Sequence, residues 1–443
     1  MIKLIRGFKD ILPEETGLWQ HIEATAREIF ADFGYGEIRI PLLERTELFA
    51  RSIGTSTDIV EKEMYTFTDR NGSSLTLRPE ATASVVRAYV EHKLYARDPI
   101  QKLYTIGPMF RRERPQKGRH RQFYQINSEV FGLQDPRADA ELILLLMTFF
   151  GRLALSGIEL NLNCLGCTAC RPLFGEALAT FLKGHSQGLC ADCLRRRDQN
   201  PLRAFDCKVP TCKEIMADAP SILDHLCTNC RHHFDTVQES LKRFDISYRI
   251  NHRLVRGLDY YTRTTFEVLA GTLGAQDAVA GGGRYDGLVQ AMGGPDQPGI
   301  GFAVGVDRLK ELLSPEQETF RLTPRLFVAA LGERAQAKAF GWVQALRARR
   351  IPAEMDFHDR SLKAQMRRAN KLGASYALIV GEQELDQGEA ILRNLNTKDQ
   401  QAVPLADLVT HMAQQMNHEG QETARETGLA CSHVETSNER STS

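Results

Sequence analysis

The sequence predicts an α+β protein: a first domain built on an antiparallel sheet, a helical Cys-rich insertion inside it, and a separate C-terminal α/β domain. Three observations carry this. Two apolar stretches flank the basic run 110–125 (FRRERPQKGRHRQFYQ), the pattern of two antiparallel strands joined by a long loop. Nine of the ten cysteines fall between Cys164 and Cys230, which marks a block of different composition. After Pro324, short apolar runs alternate with helical patterns, as in an α/β unit.

Taken in order, Leu18, Ile22, Ala26, Ile29 and Phe33 recur at helical spacing over 16–33, and the glycines at 34 and 36 end that helix. Residues 37–43 (EIRIPLL) read as a strand in which Pro41 forces an edge or a bend. Residues 76–80 close another strand, and a helix follows over 81–93. The strands of the basic hairpin cover 102–109 and 126–131. The uncharged run 142–151 is ten residues long, which is too short for a membrane span and fits a buried helix. Hairpins with inserted helices, rather than regular βαβ units, favour an antiparallel sheet. The Cys-rich block reads as polar and helical, broken at Asn200-Pro201 and Val209-Pro210. Strands resume at 247–250 and 264–269. In 299–313, Phe302, Val306, Leu309 and Leu313 follow helical spacing, which puts Arg308 on a helix.

These readings divide the chain into a first domain over 1–160 and 246–318, an insertion over 161–245, and a C-terminal domain over 324–415. In the last, strands at 326–330, 351–357 and 376–380 alternate with helices at 335–349 and 362–372, predicting a largely parallel sheet. Lys363, Arg367, Arg368 and Lys371 form a basic face on the second helix, which suits either RNA or plain solvent. Residues 417–443 are poor in apolar groups and are expected to be disordered.

Lys plus Arg balance Asp plus Glu at 56 each, so any polyanion must be met by a local patch rather than by net charge. The first ten residues contain no secretory apolar core, and the expected compartment is the cytoplasm, with no membrane partner. Disulfides are rare there. The C-x-x-C pairs Cys190/Cys193 and Cys227/Cys230 are therefore the clearest zinc ligands, with Cys207 and Cys212 as substitutes. Reduced thiols acting as small apolar residues are the alternative.

The basic run suits a polyphosphate nucleotide, because arginine binds phosphate oxygens through two parallel bonds and keeps its charge. A solvated charged hairpin, or a patch that touches nucleic acid and nothing more, is the bland alternative. Three further segments share this logic. LRPEAT (77–82) places Glu80 just after a strand end, where a carboxylate can take an ammonium group. LVRGLDYYT (254–262) offers Arg256, Tyr260 and Tyr261 around a glycine turn. GIGFAVGVDR (299–308) lets backbone approach a ligand and then presents Arg308. Together they describe an amino acid meeting ATP.

Over roughly 1–415 the chain resembles the histidyl-tRNA synthetase family of class II aminoacyl-tRNA synthetases. Residues 4–14 resemble its N-terminal signature, 37–54 motif 1 with Pro41, 110–129 motif 2, and 299–309 motif 3. RGLDYY (256–261) and GGGRYDG (281–287) resemble its two histidine-specific elements. The resemblance implies a class II antiparallel-sheet catalytic domain with a helical insertion, plus an anticodon-binding-type C-terminal domain. It also implies that Glu80, Thr82 and Gln125 hold the substrate α-amino group. Glu129 and Tyr261 would hold the imidazole in a pocket lined by Tyr260. Arg111 and Arg256 would act on the α-phosphate, Arg256 also reaching the amino-acid carboxylate. Glu113 would read the adenine amine, Phe123 and Arg308 would cover the base, Arg308 reaching the γ-phosphate, and Arg119 would steady the phosphate tail. The loop tip 116–118 would lie near the tRNA acceptor end. L-Histidine, ATP with Mg2+, and tRNA(His) are the implied partners, and motif 1 implies a homodimer. The competing expectation is a non-catalytic regulatory subunit of histidine biosynthesis, which typically lacks RGLDYY and the C-terminal domain.

Overall fold

The structure is a computed structural model that describes residues 2–54, 57–114, 118–271, 278–313, 320, 323–358 and 360–416. The expected disordered tail and the loop positions 116 and 117 lie outside the described residues. The chain forms two compact units, residues 1–321 and 322–443. No helix is long and apolar enough to cross a membrane among the described residues.

In the first unit the strands are β1 (Gly36–Glu37), β2 (Leu43–Arg45), β3 (Tyr65–Thr68), β4 (Ser74–Leu77), β5 (Gln101–Phe110), β6 (Gln122–Phe131), β7 (Ile158–Cys164), β8 (Arg249–Ile250), β9 (Thr262–Ala270), β10 (Ala278–Arg284) and β11 (Gly299–Gly305). Eight of them form one sheet in the order β1-β5-β6-β11-β10-β9-β7-β8. Its six central strands pair antiparallel, and the two-residue edges β1 and β8 pair parallel.

The period-two alternation of these strands decides what each face does. Ile126 and Val130, Phe266 and Val268, and Ile300, Phe302 and Val304 turn to one face, where they pack with the helices Pro13–Asp32, Pro136–Arg152 and Thr228–Arg243. Pro136 stands in the first turn of the second of these, where its missing N–H costs nothing, and Asp135 caps it by accepting from the Arg137 N–H at 2.8 Å. On the other face, helix Thr82–Glu91 covers one end through Val85, Val86 and Tyr89, against Phe131 and Tyr285. The rest of that face is left open as a cleft.

Several local expectations change. The 37–43 strand is split. Gly36–Glu37 joins the large sheet, whereas Leu43–Arg45 joins a three-stranded sheet in the order β2-β4-β3. Between them Pro41 has no N–H to pair, and the carbonyls of Ile40 and Pro41 accept from the buried Arg78 guanidinium at 2.8 and 3.3 Å. The glycine cluster 281–283 is strand interior. A side chain on Gly282 would overlap the Gly301 carbonyl and the Phe266 ring, so glycine fits by close approach. Phe302 lies on β11; the helix starts only at Val306 and carries Arg308. The apolar set 300, 302, 304 has period two, and its continuation into 306 and 309 imitates a helix. β7 also runs on to Cys164, so the sheet holds the chain beyond residue 160.

The insertion consists of short helices, chiefly Cys170–Gly184, Ala191–Gln199, Pro210–Ile215 and Thr228–Arg243. The helical run does break at Asn200-Pro201 and before Pro210, and each proline starts the helical turn that follows. A buried ion network ties the last helix to the sheet. Asp139 accepts from Arg284, which is fully buried, and from His233 at 2.8 Å.

The second unit holds β12 (Leu326–Ala330), β13 (Ala353–Met355), β14 (Tyr376–Val380), β15 (Glu389–Asn394) and β16 (Gln400–Pro404), in the order β13-β12-β14-β15-β16. β12 pairs parallel with β13 and β14, but β15 and β16 pair antiparallel, so the sheet is mixed rather than largely parallel. Asn394, whose side chain accepts from the N–H groups of Asn396 and Thr397, makes the tight turn that a crossover helix would otherwise replace. On helix Leu362–Leu372, Lys363, Arg367 and Lys371 are exposed, while Arg368 turns to the buried Asp356.

Candidate functional site

The open face of the large sheet is a cleft of about 420 Å³. Its floor is nearly free of side chains, because Gly281, Gly301, Ala303 and Gly305 stand at the inward positions of β10 and β11. Flat ligands can lie on such a floor.

Of the residues singled out in the sequence, Glu80, Thr82, Arg111, Glu113, Arg119, Phe123, Gln125, Arg256, Tyr260, Tyr261 and Arg308 all line this one cleft. Glu129 does not reach its surface. It lies buried on the same face of the sheet at one end of the cleft, where its carboxylate accepts from Thr82 Oγ1 at 2.6 Å and from the Tyr285 hydroxyl. Burial, with the nearby Glu80 charge adding to it, pushes Glu129 up to about 8 against the help of these two hydroxyls.

At this end of the cleft Glu80 is buried just before helix Thr82–Glu91. Its carboxylate accepts from the N–H groups of Thr82 at 2.7 Å and Ala83 at 2.9 Å, so the helix N-terminus holds the charge. Burial still raises it above the usual carboxylate range. Gln125 Oε1 and Asn127 Nδ2 are buried and have no hydrogen-bond partner among the described residues. Both belong to residues that line the cleft. A ligand bearing a donor for one and an acceptor for the other would satisfy them.

The other end is cationic. Arg111 Nε donates to the Pro79 carbonyl at 2.8 Å, and its guanidinium lies 5.4 Å from the centre of the Phe123 ring. Arg119 pairs with Glu113 at 2.6 Å, and Arg308 donates to the Ala278 carbonyl. Burial, and then the neighbouring Arg119 and Arg111 charges, lower the affinity of Arg308 for its own proton. An arriving polyanion would relieve that repulsion. Between the two ends Arg256 pairs with Glu267 at 2.5 Å, and a Cβ on Gly281 would stand 2.5 Å from its guanidinium. This glycine makes room for the arginine.

Asn127, Glu267, Tyr285, Asp206 and Lys208 also line the cleft and were not singled out in the sequence. The signal for Tyr285 was GGGRYDG itself. For Asn127 and Glu267 it was alternation, since they share a face with Gln125 and with Thr265. Nothing in the sequence pointed to Asp206 and Lys208, which the insertion contributes.

The four thiols chosen for one metal site do not come together. Cys190 and Cys193 gather with Cys207 and Cys212, while Cys227 and Cys230 gather with Cys167 and Cys170. Helix Cys170–Gly184 begins in the second group and leads to the first, and its 15 residues span about 22 Å, so one ion cannot serve both pairs.

A six-stranded antiparallel core with a basic hairpin, a bare floor and helices behind it is the catalytic fold of a class II aminoacyl-tRNA synthetase. Residues 7–309 match a family model described as histidyl-tRNA synthetase, and 325–415 match one described as an anticodon binding domain. The chain belongs to the histidyl-tRNA synthetase family. It is 57% identical over 417 residues to the histidine–tRNA ligase of Desulfatibacillum aliphaticivorans, covering 94% of this chain and 100% of that one. It is 58% identical over 409 residues to that of Desulfosudis oleivorans, covering 92% and 97%. Apo histidyl-tRNA synthetase from S. aureus superposes with a TM-score of 0.78 at 36% identity, over 93% of this chain and 100% of that one.

Proposed function

We propose that this protein activates L-histidine with ATP and transfers the histidyl group to the 3′ end of tRNA(His). The observation that carries it is the convergence, in one cleft, of an acidic end around Glu80 and a cationic end around Arg111, Arg119 and Arg308, with Arg256 between them. The ammonium group of histidine faces Glu80 and the free Gln125 oxygen. Its imidazole faces Tyr261, with Glu129 behind. Its carboxylate lies against Arg256.

In that pose the carboxylate attacks the α-phosphorus in line. The new bond joins acyl oxygen to phosphorus, and the bond to the bridging oxygen breaks as pyrophosphate leaves. Arg111 and Arg256 stabilise the charge that grows on the α-phosphate. Glu113 reads the adenine amine, Phe123 stacks on the base, and Arg308 and Arg119 hold the phosphate tail. The terminal ribose hydroxyl of tRNA then attacks the acyl carbon, and AMP leaves with the electron pair of the broken bond. Synthetases take ATP with Mg2+, which adds positive charge along the phosphates. Glu267, which lines the cleft beside Arg256, offers the oxygen donor such an ion would take.

The exposed Lys363, Arg367 and Lys371 suit the tRNA backbone. Leu42, Leu43 and Phe67, apolar yet 41–47% exposed on or beside the three-stranded sheet, suit a homodimer contact. The enzyme works in the cytoplasm, and its insertion takes structural zinc. The regulatory-subunit reading gains nothing, since RGLDYY lines the cleft and the C-terminal domain is present.

The test is ATP–pyrophosphate exchange across all twenty amino acids. Exchange that depends on histidine, with roughly 10⁴-fold discrimination from unsatisfied buried polar groups, is expected. Exchange without preference for histidine would refute the substrate.

A further inference from the structure

We propose that the insertion binds two separate zinc ions, one at Cys167/Cys170/Cys227/Cys230 and one at Cys190/Cys193/Cys207/Cys212, and that they hold the RGLDYY loop in place. The four sulfurs of each group lie within 4.8 Å of one another. Zn–S bonds of about 2.3 Å at tetrahedral angles give sulfur–sulfur edges of about 3.8 Å. The sulfurs stand 3.7 Å apart for Cys167–Cys170, 3.9 Å for Cys167–Cys227 and 3.8 Å for Cys190–Cys207. Disulfides need about 2.05 Å.

The surroundings are those of thiolate sites. The N–H of Cys227 donates to the Cys170 sulfur at 3.2 Å, and that of Cys190 to the Cys212 sulfur at 3.2 Å. Such bonds stabilise sulfur ligands. Gly166, at φ +64°, leaves room for Cys170, because a Cβ there would stand 2.6 Å from that residue's own Cβ. Cys193, Cys207 and Cys212 are also part of the small core packed around Phe174 and Leu182, a core thin enough to gain from a metal.

Each site is one step from the signature loop. Arg171, next to Cys170, donates to the Tyr261 carbonyl. Leu165 and Gly166 exchange backbone hydrogen bonds with Arg263 at 2.7 and 2.9 Å. At the second site the turn Pro201–Asp206 lies between Cys193 and Cys207. Arg203 on that turn donates to the Gly257 carbonyl at 2.9 Å and to Asp259 at 2.9 Å, and Asn200 donates to Asp259 at 3.3 Å. Arg171 and Arg203 are positioning residues in this scheme. The positioning half rests on the histidine reading of the cleft; the zinc half does not.

The test is elemental analysis of the full-length protein purified without chelator, with zinc K-edge absorption. Two zinc per chain, each with four sulfurs at about 2.3 Å, is expected. Cys212→Ser and Cys230→Ser should each keep one ion. Fewer than two zinc in the wild type, iron instead, or nitrogen or oxygen ligands would overturn the assignment, even if the variants do not fold. For positioning, Arg203→Ala should keep both ions and raise KM for histidine about tenfold, leaving KM for ATP within about twofold. An unchanged KM for histidine would overturn that half. Zinc content is read without any exchange activity, so failure of either reading leaves the other standing.

Discussion

Replacing Arg256 with alanine tests the centre of the mechanism. Its guanidinium is pinned from two sides, by Glu267 at 2.5 Å and by the strand at Gly281, so the charge is in place before any substrate arrives. A unit charge about 4 Å from the growing negative charge, at an effective dielectric near 20, is worth about 4 kcal/mol. At about 1.4 kcal/mol per decade this is roughly a thousandfold in rate. Water entering the space replaces part of the lost charge, so the expected fall in histidine-dependent exchange is about 10²–10³. Arg256→Lys should recover part of it, since lysine keeps the charge but not the two-pronged geometry. Glu267 retains some solvent contact and should tolerate the loss of its partner, and a melting curve near that of the wild type would show a folded variant. A folded Arg256→Ala protein exchanging within about fivefold of wild type would remove this arginine from the mechanism.

Glu129 is raised to about 8 by burial, so the folded apo-protein binds its proton over a range, from about 4.5 upwards, in which the unfolded chain has released it. Its contribution to stability therefore declines as pH rises from about 4.5 to about 8, and a series of melting temperatures should lose that decline in Glu129→Gln. The same variant should raise KM for histidine more than KM for ATP in exchange kinetics. Asp139→Ala leaves the fully buried Arg284 with only the partly exposed Asp286, at 3.2 Å, as a carboxylate partner and should cost about 3 kcal/mol, read as a lower denaturant midpoint. Gly301→Ala would drive a methyl group into the Glu129 carboxylate and the Ser128 carbonyl, and should abolish histidine binding by calorimetry in whatever soluble protein remains.

The basic hairpin was legible because apolar stretches flank the run in which its arginines cluster. The split of 37–43 was not, because it depends on Arg78, far along the chain, taking the carbonyls that flank Pro41. The strand at 278–284 was hidden by its glycines, which disfavour strands locally and are required by tertiary contacts with Arg256 and Phe266. Three of the four cysteine pairs were visible as C-x-x-C steps, with Cys207 and Cys212 five residues apart, but which pairs share a site depends on where helix Cys170–Gly184 carries the chain. The cleft residues were found through motifs that local physics alone would have left separate. Asp206 and Lys208 escaped because only the folded insertion brings them to the cleft.

The Arg284–Asp139–His233 network has one further consequence. It joins a strand of the catalytic sheet, the helix behind it and the last helix of the insertion through polar side chains that water hardly reaches. Grafting a foreign insertion onto this sheet would therefore leave Asp139 held by Arg284 alone, one donor short, unless the transplant brings a donor to the place of His233.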